Sequence, residues 1–307
     1  MTSTVTVTPY SIPTSAAPIG ARLYHPGPGA RAASLMWLHG GGFTGGDLDM
    51  PEADWVGRSL AERGHPVITV DYRLANETVR YPEPSNDVLA AWAWVNDNRA
   101  RLQLTETLHL GGASAGANLA TGATMRIRDN DPAANGHELP ATLILAYPTL
   151  HAVQQPPSAE LSRALQTLPD EYQRGADYVL RLYTNLMPDG ALDAAGGVNQ
   201  AALQRNDSTS TDATSSDPAS TARMWAAAIP GTADPSGLPP TLIAGSEADP
   251  LRASAEEFVA SLAAHGVEHE YFVEPATRHG HLNQPDTPGA VATIDHFHAW
   301  LSRHESR

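Results

Sequence analysis

The pentapeptide Gly112-Ala113-Ser114-Ala115-Gly116 stands where an apolar strand gives way to a helix. Flanking glycines let the two backbones approach, which forces the serine into a sharp turn with its Oγ exposed. The start of the following helix also favours negative charge developing beside it. Ser114 is therefore a candidate nucleophile, and a serine nucleophile needs a base and an orienting acid. In a βα frame these arrive as acid, then His, each on a loop after a late strand. Asp249, in Asp249-Pro250-Leu251, follows one such strand, with Glu247 as a rival acid two residues away. His279 follows the next, with His281 as a rival base. An isolated Asp-Pro is most often a helix cap, and an arbitrary one of 13 His is most often structural. Their order after the right strands is what lifts the set above coincidence.

His39-Gly40-Gly41-Gly42-Phe43 follows another apolar run. Three glycines let backbone N–H groups turn inward and donate to an oxyanion. The same segment carries a decoy, since Gly40 to Gly45 satisfies G-x-G-x-x-G and Asp71 ends the next apolar strand, as a ribose-binding acid would. Asp47, Asp49 and Pro51 intervene before helical spacing resumes, however, so these glycines do not open a helix. The two acids would also face a pyrophosphate. A Gly-Lys-Ser/Thr phosphate loop does not occur. His279-Gly280-His281 and His296-Phe297-His298 lack partners at ligand spacing, so no metal is expected. Phe43, Tyr147, Leu150, Tyr172 and Tyr183 either line an acyl pocket or pack beneath a lid.

The elements that must position these residues read as alternating strands and helices. Strands are predicted at Val5–Tyr10, Ala21–Tyr24, Ala33–Leu38, Val67–Val70, Thr107–Leu110, Ala141–Tyr147, Thr241–Ala244 and Glu270–Val273. Continuous apolar runs such as ASLMWL and ATLILAY indicate strands buried on both faces. Helical spacing falls at Ala53–Arg63, Ser85–Arg101, Ala115–Arg128, Ala253–Ala264 and Pro288–Leu301. The rhythm breaks after Pro148. Residues Leu161–Met187 read as helices with Tyr172, Ala176, Val179, Tyr183 and Leu186 on one face, and residues 206–221 read as a polar, mobile loop. The expected fold is α/β: a mostly parallel sheet, helices on both faces, a core of residues 1–150 and 237–307, and an inserted lid at 151–236. Such a lid would lie over the carboxyl ends of the strands, where open α/β sheets bind ligands.

Composition narrows the partners. The 307 residues carry a formal charge of −15, and all 19 cations are Arg. So acidic a surface, with no cluster of five or more cations, repels nucleic acid and anionic lipid. No stretch approaches the roughly 18 apolar residues of a membrane span, no secretory signal peptide is visible, and Cys is absent. A soluble, cytoplasmic protein is expected, with a homodimer left open.

The ordered motifs HGGGF (39–43), DYRLA (71–75), GASAG (112–116), EADPL (247–251) and RHGHLN (278–283) resemble the hormone-sensitive-lipase-like esterases of the α/β-hydrolase superfamily. The resemblance implies a carboxylesterase without cofactor, acting on a small-molecule ester: short-chain acyl or small aryl. It implies Ser114 as nucleophile, Asp249 as acid and His279 as base. It also implies an oxyanion hole from the N–H groups of Gly41, Gly42 and Ala115, with His39 bracing the glycine loop and Gly40, Gly112 and Gly116 as supporting positions. Relatives usually carry Asp at Ala113, Gly at Ala117, Pro at Asn76 and Phe at His281. Alternatives are a non-catalytic small-molecule binder on the same fold and, more remotely, a dinucleotide-binding enzyme.

Overall fold

Leu35 and Trp37 face one hydrophobic cluster and Met36 and Leu38 face another, all four fully buried. This is the two-residue alternation of a strand with a layer of protein on each side. The computed structural model describes residues 5–27, 32–172, 177–193, 196–199 and 218–305. Their strands are β1 (Thr6–Ile12), β2 (Ile19–His25), β3 (Ser34–Leu38), β4 (Val67–Asp71), β5 (Leu108–Ala113), β6 (Leu143–Ala146), β7 (Thr241–Ala248) and β8 (His269–Arg278). They form one sheet in the order β1-β2-β4-β3-β5-β6-β7-β8, antiparallel at β1–β2 and β2–β4 and parallel from β4 to β8.

The helices are α1 (Pro51–Glu62), α2 (Glu83–Asp97), α3 (Arg99–Leu102), α4 (Ala115–Arg128), α5 (Ala159–Leu165), α6 (Asp177–Leu186), α7 (Pro218–Ala226), α8 (Arg252–Ala264) and α9 (Pro288–Arg303). One face is covered by α2, α4 and α8 through Val88, Trp92, Leu119 and Phe258. The other is covered by α1 and α9 through Val56, Leu60, Ile294 and Phe297. The chain therefore has the α/β-hydrolase fold expected from its sequence: a mostly parallel sheet with helices on both faces.

Three differences from the sequence reading have physical causes. The helix expected at 85–101 ends at Asp97 and restarts as α3, because Asn98 leaves the helical path and its side chain donates to Trp94 O. Strand β8 continues past Val273 to Arg278 despite Pro275, which an edge strand tolerates because its outer N–H needs no partner. Pro218 opens α7, so 218–221 begin a helix rather than ending a polar loop; 206–217 lie outside the described residues.

Register places the functional loops. Leu38 pairs with Gly112, which sets the glycine loop beside Ser114. Ala248 pairs with Arg278 across a bulge, which sets Asp249 beside His279.

At the opposite end of the strands lie two buried histidines. His65 contacts Ala33 O and His298, and His109 contacts Thr142 Oγ1. Burial pushes His65 down to about 4 and His109 to about 3. Both are thus neutral when folded, whereas an unfolded His titrates near 6.5. Their stabilisation is complete above about pH 6.5 and is lost as pH falls from there through about 4 and then about 3. Replacing either by Asn should lower the slope of unfolding free energy against pH, between pH 5 and 6, by about 1 kcal/mol per pH unit. Denaturant titrations across that range measure it, and an unchanged slope in both variants contradicts the assignment.

Candidate active site

Ser114 adopts φ 51°, a left-handed conformation that a non-glycine residue holds only when its surroundings impose it. The imposition comes from both flanking glycines. A Cβ on Gly116 would lie 2.2 Å from Leu38 O, and one on Gly112 would lie 2.5 Å from the Gly116 backbone. Strand β3, the turn and α4 therefore touch backbone to backbone. Ser114 N donates to Ala146 O at 2.9 Å, which ties the turn to the end of β6.

Ser114 Oγ lies 3.0 Å from His279 Nε2, and His279 Nδ1 lies 2.8 Å from Asp249 Oδ2. The second oxygen of Asp249 accepts the Leu251 N–H at 2.8 Å, so both oxygens of this buried carboxylate are engaged. With Nδ1 protonated, His279 donates to Asp249 Oδ2 and accepts a hydrogen bond from the Ser114 hydroxyl at Nε2. The rivals are occupied elsewhere. Glu247 accepts the Ala276 N–H at 2.6 Å. His281 bridges Ser246 Oγ at 2.9 Å and Thr293 Oγ1 at 2.8 Å, and burial pushes its pKa down to about 4.

Gly41 and Gly42 take φ 122° and 62°, backbone conformations open to glycine. Ala115 is the first residue of α4, and first-turn N–H groups have no partner within their helix. His39 is buried and its Nδ1 sits 2.6 Å from Gly40 O, while Tyr72 stacks on its ring and donates to His39 O at 2.8 Å. Burial lowers the His39 pKa, as suits a neutral brace. Asp71, the decoy's ribose acid, points at His39 instead, 3.8 Å away. Gly45 N donates back to Gly41 O in a turn six residues short of α1, so the glycine run opens no helix.

The expected pocket residues separate. Tyr172 lines a cavity of about 110 Å³ beside His279, together with Leu168, Tyr178, Pro250 and Arg278. Phe43, Tyr147, Leu150 and Tyr183 are instead buried in the core, each at most 2% exposed. Phe43 packs on the Tyr183 ring, and Tyr183 donates to Thr149 O, which withdraws both from the cavity wall. Tyr147 packs edge-on against the rings of both His279 and His281. Tyr172 lies in a turn that precedes α6 and not on the α6 face; Ala176, expected on that face, lies outside the described residues.

Sequence reasoning missed two features. Glu52 reads as an ordinary first-turn acid of α1, but it is fully buried and accepts the Gly40 N–H at 2.9 Å. Arg252, three residues past Asp249, pairs with Glu160 on α5 and Glu256 on α8, fastening the segment after β6 to the acid loop. Neither has a local pattern to announce it. Among the described residues no group of three or more His, Asp or Glu side chains is placed to hold a metal ion.

Residues 35–283 match the alpha/beta hydrolase fold family. The chain is 30% identical over 308 residues to the carboxylic ester hydrolase LipN of Mycobacterium tuberculosis, covering 97% of this chain and 72% of that protein. It is 32% identical over 251 residues to the carboxylesterase NlhH of the same species, covering 81% of this chain and 66% of that one. The structure superimposes on the hyperthermophilic esterase from Pyrobaculum calidifontis with a TM-score of 0.74 at 27% identity, covering 97% of this chain and 83% of that one. The chain belongs to the alpha/beta hydrolase fold family, among enzymes of the carboxylesterase type.

The close approach at Gly116 yields a prediction. Gly116→Ala must push β3 from α4, because the obstacles are the backbone oxygens of Leu38 and His39. A destabilisation of about 2–3 kcal/mol is expected, read as a fall of several degrees in Tm. A wild-type Tm in this variant would show that the approach is not as tight as described.

Proposed function

We propose that the protein hydrolyses carboxylic esters through an acyl-enzyme formed on Ser114, with His279 as base and Asp249 as its orienting acid. The observation that carries this reading is the unbroken relay from Ser114 Oγ to His279 Nε2 and from His279 Nδ1 to Asp249. Ser114 Oγ attacks the ester carbonyl and its proton passes to His279 Nε2. The N–H groups of Gly41, Gly42 and Ala115 receive the oxyanion, each such donor being worth roughly 3–4 kcal/mol in serine hydrolases. Collapse of the tetrahedral species expels the alkoxide, which takes the proton from His279 and leaves as the alcohol. Water then gives a proton to His279 and attacks the acyl group, and a second collapse returns the proton to Ser114 and releases the acid.

The segment between β6 and β7 serves as the lid. Gly42 lies under Leu182 of α6, and Leu168, Tyr172 and Tyr178 wall the cavity beside His279. The mostly apolar and aromatic lining beside His279 suits a short acyl or small aryl group. A purely binding role would leave the proton relay without a use.

The acid assignment is the sharpest test. Asp249→Asn offers an amide where His279 Nδ1 donates, which favours the wrong tautomer, and kcat should fall by about 10⁴-fold as in related triads. Glu247→Gln, whose partner is a backbone N–H away from His279, should retain most activity. Both are read as kcat on one soluble short-chain ester. Near-normal turnover in Asp249→Asn beside a collapse in Glu247→Gln would hand the role to Glu247.

A further inference from the structure

A second fully buried carboxylate lies under the site and takes no part in the relay. Glu52 is the second residue of α1, and its side chain turns inward. Oε2 accepts the Gly40 N–H at 2.9 Å, and Oε1 accepts the indole N–H of Trp37 on β3. Its own N–H donates to Asn283 Oδ1 at 3.2 Å, and Asn283 Nδ2 donates to Gly280 O, the residue next to His279. A methyl group on Gly40 would meet both Glu52 Oε2 and Ser114 Cβ at 3.6 Å, so carboxylate and serine flank the same glycine.

The chemistry of this position is specific. Two N–H donors converge on one side chain, and only an acceptor on both arms satisfies them. A carboxylate provides that; an amide would turn its NH₂ against one donor. Burying a carboxylate without a cation is costly, and no ion pair to Glu52 occurs among the described residues. An ordinary first-turn acid would face solvent and favour the helix N-terminus at no such cost. What the inward rotamer achieves is to hold the Gly40 N–H toward the protein interior, which fixes the plane of the 39–40 peptide. Gly41 and Gly42 follow directly from that plane.

We propose that Glu52 is a positioning residue for ester hydrolysis: its side chain sets the glycine loop for the oxyanion, and its main chain locks that loop to the turn carrying His279. Donor and base are thereby referenced to one residue. This rests on the reading of Ser114 and His279 given above. A loop displaced by about 1 Å costs on the order of 10²-fold in rate when alignment carries the catalysis, and because the oxyanion exists only beyond the ground state the loss falls on kcat and not on KM.

The experiment compares wild type, Glu52→Gln and Asn283→Ala on one soluble short-chain ester, well below the Tm of each folded variant. Glu52→Gln should lose about 10²-fold in kcat with KM within twofold of wild type. Asn283→Ala, which removes the link to the His279 turn but leaves the carboxylate, should lose about tenfold in kcat, again with KM held. A folded Glu52→Gln with kcat within threefold of wild type overturns the proposal. So does a loss that appears in KM or Tm instead. Should Glu52→Gln fail to fold, Asn283→Ala decides: unchanged kcat there overturns the proposal equally. An inactive wild type would point instead to failure of the Ser114 reading.

Discussion

The contact between Gly116 and the Leu38 carbonyl governs the site. With 2.2 Å available where a Cβ would stand, β3 and α4 meet backbone to backbone, and the turn between β5 and α4 has no slack. Ser114 is held at φ 51° for that reason, and its Oγ is presented above the strand ends. The same closeness brings the glycine loop, which continues directly from Leu38, alongside the serine. On the other side of the sheet centre the register of β7 and β8 does the matching task for Asp249 and His279. The groups of the candidate site thus come from four separate strand ends whose relative positions are set by main-chain geometry, not by side-chain adaptation.

Much of this was legible in the sequence because it depends on local rules. Glycines at 112 and 116 announce a close approach, uninterrupted apolar runs announce strands buried on both faces, and helical spacing located α4 to the residue. What stayed hidden depends on contacts between distant segments. Glu52 joins α1 to β3 and the glycine loop, and Arg252 joins α8 to α5. An acid in the first turn of a helix looks the same in sequence whether it faces solvent or the core. The choice between pocket lining and packing stayed open for a related reason: an aromatic residue near a strand end looks the same in either role, and only the fold shows Phe43 and Tyr183 packed on each other. Strand β8 runs on past Val273 through Pro275 because it lies at the sheet edge, a placement that no local pattern shows.

Two kinds of buried titratable group serve different ends here. His65 and His109, at the far end of the sheet, are kept neutral by burial. Asp249 and Glu52 are carboxylates whose oxygens are met by directed N–H donors, one beneath His279 and the other beneath Gly40. Burial pushes Glu52 up to about 7, against the pull of those donors. Arg252 also fastens α5 through Glu160, and Asn118 Nδ2 fastens α6 through Tyr183 Oη at 2.8 Å. Since Asn118 belongs to the first turn of α4 and Arg252 begins α8, α6 and α5 are anchored to the helices that follow Ser114 and Asp249.

Mass analysis after exposure to a fluorophosphonate tests whether Ser114 is the nucleophile of an ester hydrolase. Such reagents phosphonylate a serine only where a base and an oxyanion site act on it together. One adduct per chain is predicted, confined to the peptide containing Ser114 and absent from Ser114→Ala. Labelling on a different residue, or an adduct that persists in Ser114→Ala, would rule Ser114 out as the nucleophile.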